Sequence, residues 1–336
     1  MYGLQIAPDD NGKPIDISSN TKAAAYRGYY APQLDGNGRQ TFSVPLSDGA
    51  QLFVIPRTAC TSYYTPAAGV PRVLALDGVW VSGNTVTSTV RNFNQYYDPG
   101  HVPAGFDAFQ IMGSSNVSGY GLFMQSSTDF SAITDAAIVS QCVWRGTVNI
   151  NGSWSIPDIP DRNNCIVFAH WDRSDRVIYF DRNNMRIEAY SDGGETNPAD
   201  CYMEVIIFTN GTPPVPPAWG VAIWNASGQC TFSSRKAPMI WNGNYVTFNG
   251  TPWSYSSPAT GVNRAAIPLC GVGADTGDSV LSDGYRALYN AGIRMSGNAV
   301  CGSRAQNTGI TYSQNSGLIR SIASVTLPVI DASIYL

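Results

Sequence analysis

The stretch "WGVAIWNASGQCTFSS", residues 219–234, repeats in outline the opening "YGLQIAPDDNGKPIDISS", residues 2–19. Each has an aromatic residue, a glycine, two apolar residues around one spacer, a polar turn containing Gly, and then Ser-Ser. A third version, "YGLFMQSSTDFSAIT", occupies residues 120–134. The starts at 2, 120 and 219 are 118 and 99 residues apart, one domain's length each.

Further matches keep the same order. "GVWVSGNTV" (78–86) aligns with "GIRMSGNAV" (292–300), with identity at Gly78/Gly292, Ser82/Ser296, Gly83/Gly297, Asn84/Asn298 and Val86/Val300. Apolar residues alternate up to Ser-Gly-Asn and resume after it. This is the pattern of a β-hairpin in which Gly-Asn supplies the positive φ angles of a tight turn. In the middle interval "VIYFDRNNMRIEA" (177–189) stands at the equivalent place, with its turn at Asp181 to Asn184. A strand-like run precedes each hairpin: "QLFVIP" (51–56), "CIVFAH" (165–170) and "AAIPLCG" (265–271). Another closes each interval: "FDAFQIM" (106–112), "CYMEVIIF" (201–208) and "IASVTLPVI" (322–330). Recurrence in register is the mark of repeated units. The sequence therefore predicts an all-β chain of three tandem β-sandwich-like modules, 1–117, 118–215 and 216–336, joined by short linkers. Each module is expected to bury its own leading aromatic residue, Tyr2, Tyr120 or Trp219. The linker "NGTPPVPP" (210–217) reads as a stiff spacer, and "GSSNVSG" (113–119) as a looser one.

Composition narrows the partners. The 336 residues carry a net charge of −4 with only three lysines, Lys13, Lys22 and Lys236, and no basic run to neutralise phosphates. Nucleic acid is not an expected partner. No apolar stretch is long enough to span a bilayer, and no basic-then-apolar signal segment opens the chain, which points to folding in the cytoplasm. Seven cysteines without CxxC spacing read as reduced, buried thiols rather than zinc ligands.

Catalytic chemistry has few carriers. The histidines are His101 and His170, and no GxSxG elbow occurs. His170 in "FAHWDRSD", with Asp172 and Asp175 behind it and Cys142 or Cys165 as nucleophile, is the best nucleophilic arrangement on offer. Carboxylate pairs for glycoside hydrolysis are Asp158 with Asp161 and Asp172 with Asp175, beside the glutamates Glu188, Glu195 and Glu204. "GADTGDS" (273–279) and "APDDNGK" (7–13) lack the full ligand spacing of a calcium loop and read as Asp/Asn/Gly turns. No catalytic residue, metal or cofactor is assigned. The binding candidates are aromatic: Tyr29, Tyr30, Tyr63, Tyr64, Tyr96 and Tyr97 in loop-like contexts, and Trp253. Tyrosine and tryptophan suit interfaces because one end is apolar and the other forms hydrogen bonds. A protein interface is favoured over a sugar.

The three openings also carry a resemblance. An aromatic-Gly-apolar-x-apolar start followed by a polar Gly turn, as in Tyr2-Gly3-Leu4-Gln5-Ile6, Tyr120-Gly121-Leu122-Phe123-Met124 and Trp219-Gly220-Val221-Ala222-Ile223, resembles small tail-gene proteins of tailed bacteriophages. That family is associated with one such opening per chain, so three imply an expanded form. The resemblance implies a non-enzymatic virion protein at the tail tip or tail fibre, contributing to tail architecture and host attachment. It would assemble in the host cytoplasm beside other phage tail proteins, as a homotrimer around the tail axis. The alternatives are a host-receptor or glycan-binding adhesin and a polysaccharide hydrolase.

Overall fold

A computed structural model describes residues 3–64, 69–92, 103, 105–113, 121–126, 129–192, 197–277, 281 and 283–336. Each of the three openings is a β-hairpin. Gly3–Ile6 pairs with Ile15–Ser18, Gly121–Gln125 with Phe130–Thr134, and Ala222–Trp224 with Cys230–Ser233. Alternation along the strands turns Leu4, Leu122 and Ile223 toward a common apolar cluster, in which Ile17, Ile133 and Phe232 are buried.

Seven residues beyond Ile17, Ile133 and Phe232 stand Ala24, Ser140 and Met239. These three close a triangle of main-chain hydrogen bonds. Ala24 N–H donates to Met239 O (2.8 Å), Met239 N–H to Ser140 O (2.8 Å), and Ser140 N–H to Ala24 O (3.0 Å). The flanking antiparallel pairs repeat the relation: Ala23 with Ile240, Val139 with Ala25, and Pro238 with Gln141. A second tier follows, with Cys142 N–H on Ala237 O (2.7 Å), Trp241 N–H on Lys22 O (3.0 Å), and Ile138 paired with Tyr26. Each short strand thus gives to one neighbour and accepts from the other. One chain contains a quasi-threefold axis.

The pairing beyond the triangle also recurs. The closing strand Phe106–Met112 lies between Ala25–Tyr30 and Ala50–Pro56. Asp200–Phe208 lies likewise between Cys142–Asn151 and Ile166–His170. In the last interval Ser324–Pro328 pairs with Tyr245–Asn249, and Ile330–Asp331 with Ala265–Pro268. The registers set Phe53 opposite Phe109, Ile166 opposite Phe208, and Ala266 opposite Ile330, all in the cluster around the triangle. The next residues along, Val54, Ala108, Val167, Ile207, Ile267 and Val329, fall on the other face in a second and larger cluster.

The all-β expectation holds. Neither core belongs to one interval, however, and the borders at 117/118 and 215/216 do not separate cores. Ala132 pairs with Met112, the strand Ile166–His170 with Ala265–Pro268, and Ile178 with Ile293, so sheets continue across both borders. The cause is that each interval's central sheet is apolar on both faces, and an interval of about 100 residues has nothing left with which to cover the second face.

The expectation of three buried leading aromatics is corrected at Trp219, which is 95% exposed. Ser18 and Thr134 face Gly3 and Gly121, whereas Ser233 faces Ala222. The third hairpin is therefore paired two residues further along than its sequence match implies. A slip of two keeps the same face inward, so Ile223 takes the place of Leu4 and Leu122 and Trp219-Gly220 is left outside. Tyr2 and Tyr120 lie outside the described residues.

Both Ser-Gly-Asn hairpins turn at two residues, flanked by Ser82 opposite Thr85 and Ser296 opposite Ala299. Only the glycine takes positive φ, 59° at Gly83 and 56° at Gly297, as in a II′ turn. The asparagines do not share it. In the middle interval Asp181 faces Arg186, so the turn is 182–185, one residue beyond the expected place.

Candidate functional site

A groove of about 750 Å³ lies where the three intervals meet. The first interval supplies Tyr29, residues 57–58 and 60–62, the second 179–184, and the third Gly271, Asn290, residues 306–308 and Ile310. Most of this lining is hydroxyl, carboxamide or guanidinium.

Arg57 follows directly on a strand and is clamped at its head. Its Nε and Nη2 each donate to Asp107 at 2.9 Å, and Asp107, itself buried, also accepts from the Tyr26 hydroxyl at 3.1 Å. Burial disfavours the Arg57 charge, but the Asp107 bonds outweigh it and hold Arg57 above the ordinary arginine value. The guanidinium lies 4.0 Å from the centre of the Tyr29 ring, which remains 44% exposed. Arg182, at the start of the middle turn, is different. It donates to the main-chain carbonyls of Asn163 (3.2 Å) and Cys165 (3.3 Å) and has no carboxylate partner among the described residues. Burial pulls Arg182 below the ordinary value; Asp107 raises it and Arg57 lowers it by smaller amounts.

Beneath the groove a polar network joins the second and third intervals. Glu188 accepts from Tyr190 Oη (2.6 Å) and Gln306 Nε2 (3.0 Å) and pairs with Arg186, which also reaches Asp181 at 3.5 Å. Asn290 Nδ2 donates to Gln306 Oε1 (3.0 Å) and to the Tyr179 hydroxyl (3.1 Å). Burial and nearby carboxylates push the Tyr179 and Tyr190 hydroxyls above their usual range, so both stay protonated and able to donate.

Of the aromatic candidates among the described residues, Tyr29 alone lines this groove. Tyr29 and Tyr30 sit on the strand Ala25–Tyr30, and Tyr63 and Tyr64 on Cys60–Tyr64, so the loop expectation is corrected for all four. Tyr30 stacks on Phe42 at 5.0 Å, and Tyr63 packs half-buried on the larger core. Trp253 lies under Arg320, 4.9 Å from its ring centre, outside the groove. Tyr96 and Tyr97 lie outside the described residues. Arg57, Arg182 and Gln306 escaped the sequence reading, because no local pattern joins positions so far apart.

The chemical candidates hold structural bonds. His170 Nδ1 lies 2.9 Å from Ala265 O, and the residue is paired across the sheet with Glu204, which bonds Arg264. Asp172 accepts from Gly297 N–H (2.6 Å), and Asp175 holds Arg173 (2.8 Å) and Arg176 (2.5 Å). Asp275, expected in a loop, is buried in the strand Gly273–Thr276 and paired with Arg304 at 3.2 Å. Asp10 binds Arg145 at 2.9 Å, and Asp9 binds Arg235 and Lys236, tying the first hairpin's turn to the other two intervals. Among the described residues no three of His, Cys, Asp and Glu gather as metal ligands, and no helix is long and apolar enough to cross a membrane.

All seven cysteines are free, and burial pushes the thiols of Cys60, Cys142 and Cys270 up to about 12 and those of Cys165, Cys201 and Cys301 up to about 11. A protonated, enclosed thiol is a poor nucleophile. Cys60 differs from the other six in being half-buried at the groove, which corrects the expectation of seven buried thiols. In a thiol-disulfide colour assay at neutral pH, the native protein is expected to release at most this one thiol over minutes and all seven when unfolded by guanidinium. A fast native phase of more than one thiol contradicts this.

One family model matches residues 3–314, taking in all three opening hairpins. The chain belongs to DUF6453, a family of unknown function. No curated protein and no solved structure matches it. The DUF6453 match therefore runs through the hydrogen-bonded triangle and every stretch that lines the groove.

Proposed function

We propose that this chain is a structural component of a tailed-bacteriophage virion, at the tail tip or tail fibre, contributing to tail architecture and host attachment. The triangle of Ala24, Ser140 and Met239 carries the reading. Three similar hairpins around one axis let a single copy sit coaxially on a threefold-symmetric assembly, as a homotrimer would. The resemblance of the three openings to tail-gene proteins supplies the setting. The third hairpin offers the other parts a contact surface: Trp219 is 95% exposed and Trp224 51%, with Val215 and Val221 exposed beside them.

The test is mass spectrometry of purified particles of a phage that encodes the chain. The chain is expected at a fixed copy number per tail; particles that lack it overturn the proposal. A narrower prediction concerns Trp219→Ala. Because the side chain packs on so little, stability is expected to stay within about 0.5 kcal/mol of the parent. Incorporation into particles is expected to fall, and unchanged incorporation removes this face from the assembly surface. His170, Asp172, Asp175, Glu188 and Glu204 are tied into structural bonds, which favours binding over hydrolysis. Attachment through the polar groove is the second reading, favoured by its amide and hydroxyl lining.

A further inference from the structure

We propose that the groove between the three intervals binds an oligosaccharide bearing carboxylates, with Arg182 receiving a carboxylate group. The proposal deepens the attachment reading of that groove and does not depend on the chain being part of a virion.

Three observations converge. First, one cation of the groove lacks a direct partner. Among its lining residues Arg57 is matched by Asp107, and Asp181 shares Arg186 with Glu188, whereas Arg182 has no carboxylate within ion-pair distance among the described residues. Second, Arg182 has donors to spare. A guanidinium carries five N–H groups in a planar fork, and here only two bonds are made, both to main-chain carbonyls. The fork matches the planar oxygens of a carboxylate. Its burial disfavours the unaccompanied cation, an effect that Asp107 partly offsets and Arg57 adds to, so an arriving anion relieves a cost already present. Third, the rest of the lining suits hydroxyl groups rather than apolar ligands. Asn183, Asn307, Thr58 and Ser62 present donors and acceptors, and the half-exposed Tyr29 ring offers a surface for a pyranose face. A volume of about 750 Å³ open to solvent has room for sugar units. A nucleic acid meets no basic track here, since the chain's net charge is −4.

The experiment is calorimetric titration of the full chain with two pairs of probes. One pair is tetragalacturonate and its carboxyl-reduced counterpart. The other is sialyllactose and lactose. At least one acid is expected to bind about tenfold or more tightly than its neutral partner, with the preference shrinking as salt rises. Arg182→Gln is expected to abolish the preference and Arg182→Lys to restore part of it. Because Arg182 also supports the main chain at Asn163 and Cys165, a second variant tests the charge alone. Asn183→Asp, at an exposed position beside Arg182, is expected to keep the parent's melting temperature while weakening the acid about tenfold. Equal binding of acid and neutral sugars, no binding of any of the four, or an undiminished preference in Asn183→Asp overturns the proposal. None of these results bears on the presence of the chain in particles, so the two readings fail separately.

Discussion

Phe109→Ala, Phe208→Ala and Ile330→Ala are each expected to lower one and the same unfolding transition. The three residues come from different intervals, yet all are buried in the cluster around the triangle. Phe109 stacks with Phe53 at 5.2 Å, and Phe208 meets the edges of Phe168 at 5.7 Å and Tyr335 at 5.5 Å. Truncating a phenylalanine in such a place costs about 3–5 kcal/mol, and an isoleucine about 2–5 kcal/mol. In a chain of three self-sufficient modules, each variant would shift one of three transitions and spare two. With a shared core, circular dichroism and intrinsic fluorescence should report a single coincident transition in the parent and in all three variants. Separate transitions, with only one displaced per variant, refute the shared core.

Asp107→Ala is expected to destabilise the fold by about 3–5 kcal/mol, because it strands Arg57 in a largely enclosed site without its counter-charge. It also removes the acceptor for Tyr26. Replacing both partners, Arg57→Leu with Asp107→Leu, should recover much of the loss, since a buried pair and an apolar pair of similar volume are often close in energy. Urea unfolding of the single and double variants measures this. A single variant as stable as the parent means that the pair is not enclosed as described. The single variant should also free the Arg57 head from the Tyr29 ring and so disturb the groove.

Much of the fold was legible because it is local. The Ser-Gly-Asn turns demand a positive φ at Gly83 and Gly297, and the alternating residues around them leave little choice but a hairpin. Short apolar runs located the strands around Phe53, Ile166 and Ala266 and the closing strands opposite them. The two-residue slip at Trp219 was not legible, because a shift of an even number of residues preserves the inward face and hence the pattern. The triangle was hidden for another reason. Ala24, Ser140 and Met239 share no side-chain chemistry, and what joins them is main-chain hydrogen bonding at long sequence separation. The groove is hidden likewise: Tyr29 was singled out for its type, but Arg182 reads as an ordinary turn residue until Arg57 and Gln306 are folded against its neighbourhood.

The triangle also bears on how such a chain can change. In an assembly of three identical subunits every substitution is copied three times, so no arm can specialise without the others. Here the arms are spelled separately and already differ. The first carries Asp9 and Asp10 in a long turn held by Arg145, Arg235 and Lys236, and the third carries the bare indoles of Trp219 and Trp224. One arm is free to drift toward a new surface while the remaining two keep the axis in place.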